Sequence, residues 1–204
     1  LDVPEPVMAL AVNPAEKALN LSWVAPARTL TGQSADSIAG YNVYRSEAGP
    51  GNPRKPGPYA LIAEAHDTSY SDSNFEFGHF YAYKVRAVVR QDGQSAESAD
   101  SGTVEIMPRD TFPPAAPAAL TGLYTAGVIE IIWSPNLEPD LAGYNIYRRE
   151  ENGQEERLNR ELLPTSLYRD AAVSAGHRYS YRVTAVDRNG NESSPSSETE
   201  VEAQ

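Results

Sequence analysis

The stretch GHRYSYRVTAVDRNGNES, residues 176–193, alternates between two sets of side chains. The apolar set is spaced two apart and consists of Tyr179, Tyr181, Val183 and Ala185. Because successive side chains of a β-strand point to opposite faces, this spacing predicts a half-buried strand. The Asn189-Gly190 pair that follows favours a tight turn with a positive φ.

A second copy of this pattern occurs about a hundred residues earlier, as GHFYAYKVRAV at residues 78–88. Other segments recur in the same order: GYNVYR at 40–45 corresponds to GYNIYR at 143–148. We therefore interpret the chain as one β-domain written twice, with domains at 1–108 and 109–204. A domain of about 100 residues buries roughly 60–70% of the surface of its unfolded chain, which is enough for one core.

Each half contains about seven short apolar segments, separated by turn signals and without a convincing helix. This profile predicts an all-β chain of two antiparallel β-sandwiches. A parallel sheet would require crossover helices, for which the segments leave no room. Trp23 follows two aliphatic residues at a period of two, and Trp133 does the same in the second half. We expect both tryptophans in the cores.

Two segments of the first half are predicted as long loops. Arg28–Ala39 is polar, and Ala48–Pro58 is rich in proline and glycine, which interrupt regular structure. The second segment also has the PxxP spacing of polyproline ligands, but we favour the simple loop. The corresponding part of the second half has a tight hairpin turn at 151–154.

The composition excludes several classes of partner. A formal net charge of −11 repels a phosphate backbone, so nucleic acid is not expected as a partner. No apolar run reaches the length of a membrane span, so direct membrane insertion is not expected either. The chain has no cysteine, which excludes disulfides and thiolate sites. Its first residues lack the features of a signal peptide, so we expect an intracellular chain or a trimmed piece of an exported one.

The recurring motifs resemble fibronectin type III domains: tryptophan on the second strand, Gly-Tyr-x-Val/Ile-Tyr-Arg on the third, and Gly-x-x-Tyr-x-Tyr-x-Val-x-Ala-Val on the sixth. The connector DTFPPAAP at 110–117 is similar to the Asp-Thr-x-Pro-Pro start of bacterial members. The resemblance implies two tandem immunoglobulin-like, seven-stranded antiparallel sandwiches. It also implies that Tyr81 and Tyr179 are tyrosine corners, whose hydroxyls bond to backbone groups slightly upstream.

No arrangement of residues predicts catalysis or a metal site. His79 and His177 occupy the same position in each half, His66 lies apart, and no ligand spacing connects them. The segment at 187–192 begins like a calcium loop but lies between predicted strands, so a turn is favoured. No serine lies in a Gly-x-Ser-x-Gly motif. We therefore predict no catalytic residues, no cofactor and no metal.

Five residues are candidates for partner binding. They are expected on the outward face of the third and sixth strands and are Tyr44, Lys84, Arg86, Tyr147 and Arg182. Tyrosine and arginine are favoured at binding hot spots. The alternative is structural, because an aromatic ring beside a cation also forms a cation–π pair that covers the sheet.

The resemblance implies a non-catalytic structural or protein-binding module, acting as a spacer or in adhesion, in a secreted or surface-anchored bacterial protein such as a lipoprotein. The alternative is a carbohydrate-associated accessory module of an extracellular hydrolase; an enzyme would need a cleft with perturbed titratable groups. We expect a monomer located outside the cell, at its surface or in the periplasm, with a protein or glycan partner. Because the first half has the longer loops, we expect it to carry the specific contacts and the second half to act mainly as a stalk.

Overall fold

The computed structural model describes residues 1–49 and 52–204, all of whose regular structure is β. The chain divides into two compact units, Leu1–Asp110 and Thr111–Gln204. We call these the first and the second domain. The division lies two residues beyond the boundary expected from the sequence, which was 108/109.

The described residues of the first domain form eight strands. They are β1 Met8–Pro14, β2 Leu19–Val24, β3 Ile38–Gly49, β4 Asn52–Ala65, β5 Ser69–Asp72, β6 Tyr81–Gln91, β7 Gln94–Glu97 and β8 Val104–Ile106. One sheet has the order β1-β2-β5, and the other has the order β4-β3-β6-β7, with β8 pairing with β6. All pairs are antiparallel. The strand in addition to the seven expected is β7, which follows the turn at Asp92-Gly93.

Seven strands form the second domain. They are β9 Ala118–Thr125, β10 Val128–Ser134, β11 Leu141–Glu150, β12 Glu155–Arg157, β13 Leu167–Asp170, β14 Arg178–Asp187 and β15 Thr199–Glu202. The sheets have the orders β13-β10-β9 and β12-β11-β14-β15, again antiparallel throughout. The predicted class, two antiparallel β-sandwiches in series, is confirmed.

Each domain has its own core, built from alternate residues of its strands. Trp23 and Trp133 are each only 5% exposed and pack edge-on against Tyr41 and Tyr144, as their position after two inward aliphatics predicted. The central strands β6 and β14 contribute the inward set that opened the sequence argument. The hydrophobic transfer of these side chains, about 1.5–3 kcal/mol each, is the main stabilising contribution.

The two tyrosine corners are present where the motif predicted them. The hydroxyl of Tyr81 accepts a hydrogen bond from the backbone N–H of Glu76 at 2.9 Å. Tyr179 accepts one from Ser174 at 3.0 Å. In both cases the donor lies five residues upstream, so each phenol fixes the loop that leads into its strand.

The prediction of a loop over Ala48–Pro58 is wrong for the residues that the structure describes. Strands β3 and β4 continue through it, with Ala48 opposite Pro56 and Gly49 opposite Asn52. Proline is tolerated because β4 is an edge strand, where a missing N–H removes no ladder bond on the open side. Pro50, and with it the first PxxP spacing, lies outside the described residues.

The predicted loop at Arg28–Ala39 is irregular up to the start of β3, but it is fixed to the N-terminal segment. The hydroxyls of Thr29 and Thr31 both donate to Oδ2 of Asp2, at 2.7 and 2.6 Å. The backbone N–H of Leu30 donates to the carbonyl of Val3 at 2.8 Å. This loop is therefore part of the folded domain.

One hairpin has a residue that does not suit its backbone. The turn between β9 and β10 has φ of 50° at Ala126 and 86° at Gly127. Alanine disfavours this left-handed region, whereas asparagine tolerates it.

We expect Ala126→Asn to stabilise the protein by about 0.5–1 kcal/mol in urea unfolding. Ala126→Val is the matched control and should destabilise it, since a β-branched residue fits positive φ least; equal effects of the two variants would contradict this account.

Candidate binding face on the sheet of the third and sixth strands

The five predicted binding residues lie on the outer face of one sheet in each domain. The strand register places Tyr44 directly opposite Lys84 and Tyr147 directly opposite Arg182. Arg86 lies two residues further along β6 than Lys84. The structure thus brings the aromatic and cationic side chains together as expected, within each domain.

In the first domain the cations lie over tyrosine rings. Arg86 is 4.7 Å from the ring centre of Tyr44, and Lys84 is 4.3 Å from that of Tyr59. Tyr59 was missed as a member of this face, because a bulge between Val43 and Tyr44 shifts the register of β4 against β3. Cation–π contacts of this kind contribute about 0.5–1 kcal/mol at exposed positions.

Acidic side chains neutralise these cations. Lys84 and Arg86 both bind Asp100, at 2.8 and 2.6 Å, and Arg86 also binds Glu97 at 2.7 Å. The hydroxyl of Tyr44 donates to the other oxygen of Glu97 at 2.7 Å. The hydrogen-bonding groups of the predicted face are therefore engaged within the domain.

These contacts shift the pKa of the central groups in opposite directions. Burial alone would raise the pKa of Glu97, but hydrogen bonds from Arg86, Tyr44 and Asn42 outweigh it and lower the pKa below its usual value. Burial and the bond to Glu97 raise the pKa of Tyr44. At neutral pH the carboxylate is charged and the phenol is neutral, which is the pairing that the geometry requires.

A related cluster covers the second domain. The hydroxyl of Tyr147 donates to Glu192 at 2.8 Å, and Asn145 donates to the same oxygen at 3.1 Å. Arg182 lies 5.8 Å from the ring centre of Tyr147 and forms an ion pair with Glu155. Glu192 thus plays the part that Glu97 plays in the first domain.

Serines next to these glutamates complete the sheet. In ESADS at 97–101 and ESSPS at 192–196, the hydroxyls of the first and the last serine accept backbone N–H groups of the central strand. These four bonds, all 2.9–3.0 Å, join Ser101 to Val85, Ser98 to Ala87, Ser196 to Val183 and Ser193 to Ala185. They take the place of backbone ladder bonds, so these serines have a structural role.

A buried ionic cluster beneath the face was not predicted from the sequence. Asp72 is 2% exposed, and its Oδ2 accepts hydrogen bonds from Arg45 at 2.9 Å and from the hydroxyl of Tyr83 at 2.8 Å. Its Oδ1 accepts the backbone N–H of Asn74 at 3.0 Å. Arg45 also lies 5.3 Å from the ring centre of the corner tyrosine Tyr81.

The second domain repeats this cluster in detail. Asp170 is 3% exposed and accepts bonds from Arg148 at 2.9 Å and from Tyr181 at 2.8 Å, and its Oδ1 caps the N–H of Ala172 at 3.0 Å. Arg148 lies 5.3 Å from the ring centre of Tyr179. The sequence signal was available, since arginine, aspartate and tyrosine recur at equivalent positions of both halves.

The histidines and the calcium-like segment are also involved in local contacts. His79 lies 3.4 Å from Glu76, and His177 contacts Glu150; both imidazoles are exposed. The carboxylate of Asp187 accepts the backbone N–H groups of Asn189 and Asn191, both at 2.8 Å, and Gly190 has φ of 85°. The segment forms the turn that the Asn-Gly pair predicted.

Within the described part of the chain, no helix has the length and apolarity to cross a membrane.

Comparison with known proteins finds relatives that match this chain over a part of their length. Exoglucanase B of Cellulomonas fimi is 31% identical over 170 residues, which is 80% of this chain and 14% of that protein. An amylopullulanase of Thermoanaerobacterium saccharolyticum is 33% identical over 92 residues, 45% of this chain and 7% of the enzyme. The chain thus spans only a small part of these relatives. No family model matches it.

The fold has a direct structural counterpart. A two-domain fibronectin type III segment of chicken tenascin superimposes with a TM-score of 0.55 at 15% identity, covering 98% of this chain and all of that one. The chain therefore has the fold of two tandem fibronectin type III domains, as its motifs suggested.

The buried cluster leads to a stability prediction. Asp72→Asn removes the buried counter-charge of Arg45, whose remaining ion pair is with the exposed Glu47, so it should reduce the free energy of unfolding by roughly 3–5 kcal/mol. The control is Glu64→Gln, which breaks the exposed pair with Arg90 and should cost less than about 1 kcal/mol. Chemical denaturation of both variants checks this, and equal losses would contradict it.

The lowered pKa of Glu97 leads to a pH prediction. A carboxylate with a depressed pKa in the folded state contributes stability above its unfolded pKa, about 4.3, and loses it as the pH falls through the folded value. Glu97→Gln should therefore be less stable than the wild type at pH 7, with the gap narrowing between pH 5 and 3. Urea midpoints across this range test it. The control is Glu105→Gln on β8, and a gap at Glu97 that stays constant with pH would refute the assignment.

Proposed function

We propose that the chain is a non-catalytic spacer module of an extracellular protein that degrades glycans. The observation that carries this proposal is the internal engagement of the sheet face. The tyrosines and cations that could contact a ligand bind Glu97, Asp100 and Glu192 of their own domains. The context comes from the relatives, whose names are those of an exoglucanase and an amylopullulanase.

A glycan-binding accessory module is the second candidate, and the relatives are what favour it. Such a module requires exposed aromatic rings that stack on sugars. The rings of Tyr44 and Tyr59 are each approached by a cation, at 4.7 and 4.3 Å, and both side chains are half-buried. This favours the spacer role. We also propose that the module is exported and monomeric. Because its net charge is −11, it should have no affinity for nucleic acid.

The test uses the chain by itself. After incubation with insoluble cellulose or granular starch and centrifugation, we expect the protein in the supernatant, and we expect cellohexaose and maltohexaose to remain unshortened. If the protein pellets with either polysaccharide, and Tyr44→Ala or Tyr59→Ala abolishes this pelleting, the glycan-binding candidate is established. If either oligosaccharide is shortened, and this cleaving activity co-purifies with the protein, the non-catalytic assignment is overturned.

A further inference from the structure

The first domain has a groove beside β8 that the spacer role does not explain. It is lined by Phe80, Ile106 and Met107, with Arg54, Glu105 and Arg109 at its rim, and its volume is about 490 Å³. A second hollow of about 270 Å³ adjoins it, because both contain Phe80 and Met107. The wall with Arg54 comes from the β3–β4 hairpin, which reaches beyond its counterpart in the second domain.

In the second domain an ion pair occupies the position that is equivalent to this groove. The register of β6 on β8 and of β14 on β15 makes Arg178 the counterpart of Phe80, and Glu202 the counterpart of Met107. In the second domain these two residues form an ion pair at 3.4 Å. The first domain replaces that pair with a phenyl ring that is 7% exposed and a methionine that is 38% exposed. The two domains share a framework, so the framework does not require this apolar floor.

The cations at the rim are unused. Within residues 1–49 and 52–204, neither Arg54 nor Arg109 forms an ion pair or a side-chain hydrogen bond, whereas Lys84, Arg86 and most cations of the adjacent sheet face are paired. An unpaired guanidinium presents a planar set of donors that matches a carboxylate. With Glu105 at the same rim, the two guanidinium groups still leave an excess of one positive charge beside the apolar floor, which favours an anion in a chain with a net charge of −11.

Other hollows lack this combination. The one lined by Arg149, Glu151 and Glu200 in the second domain has a volume of about 300 Å³, but all of its lining residues are polar or glycine. Arg149 is paired with Glu198. The outer face of β9 and β10 exposes Leu123 and Ile132, but nothing around it specifies an occupant.

We propose that this groove binds an extended acidic peptide segment of a partner protein. An apolar side chain of the peptide packs mainly on Met107, which is 38% exposed, and carboxylates on either side bind Arg54 and Arg109. Methionine adapts its shape to such side chains. An acidic sugar is less suitable, because the ring of Phe80 is almost fully covered and offers no face for stacking.

The experiment selects binders from a displayed library of random decapeptides against the whole chain. We expect enrichment of sequences in which an apolar residue is flanked by aspartate or glutamate. The affinity of a synthetic fluorescein-labelled copy should fall at least tenfold in Arg54→Glu/Arg109→Glu and should weaken with salt. Phe80→Arg/Met107→Glu, which reproduces the ion pair of the second domain and should therefore fold, should also abolish binding.

Two controls match these variants. Lys17→Glu/Arg160→Glu makes the same change of charge elsewhere, and Met8→Ser removes the other exposed methionine; both should bind as the wild type does. Selection without acidic enrichment, or binding that survives both groove variants, overturns the proposal. Binding of oligogalacturonate that needs the same arginines, without any peptide enrichment, overturns the peptide as occupant. None of these outcomes depends on the cellulose and starch assay.

Discussion

The buried aspartate at the end of β5 and of β13 is the constraint on which the rest of each domain depends. An isolated carboxylate at this depth would cost several kcal/mol. Asp72 is therefore surrounded by an arginine from β3, a tyrosine from β6 and a backbone N–H of the following loop. The arginine and the tyrosine belong to the sheet opposite the one that carries Asp72, so satisfying this carboxylate fixes the two sheets against each other and places Arg45 over the corner tyrosine.

The two domains keep this interior and differ on their surfaces. Arg148, Asp170 and Tyr181 reproduce the cluster with distances that agree within 0.1 Å of those in the first domain. The glutamate and serines of 97–101 are also repeated, at 192–196. The β3–β4 hairpin and the groove beside β8 are not, and specific contacts concentrate where a fixed framework allows variation. The spacer role rests on what the domains share, and the peptide site on what they do not.

Much of this structure was predictable from the sequence, because alternation and repetition report directly on burial. The strands, the buried Trp23 and Trp133, the Asn-Gly turn and the tyrosine corners follow from local patterns. The loop predicted over Ala48–Pro58 failed because proline content reports on the backbone donor alone, and an edge strand does not need that donor. The ionic cluster and the groove join residues far apart in sequence, and only the strand register brings them together.

A double-mutant cycle on Arg148 and Asp170 tests the central claim most directly. Denaturation of Arg148→Met, Asp170→Asn and the combined variant gives the coupling energy of the pair. If the buried carboxylate depends on its arginine, the double variant should be less destabilised than the sum of the single variants by at least about 2 kcal/mol, since the first change already breaks the ion pair that the second change would break. Additive effects, within about 0.5 kcal/mol, would show that the pair does not hold the sandwich together.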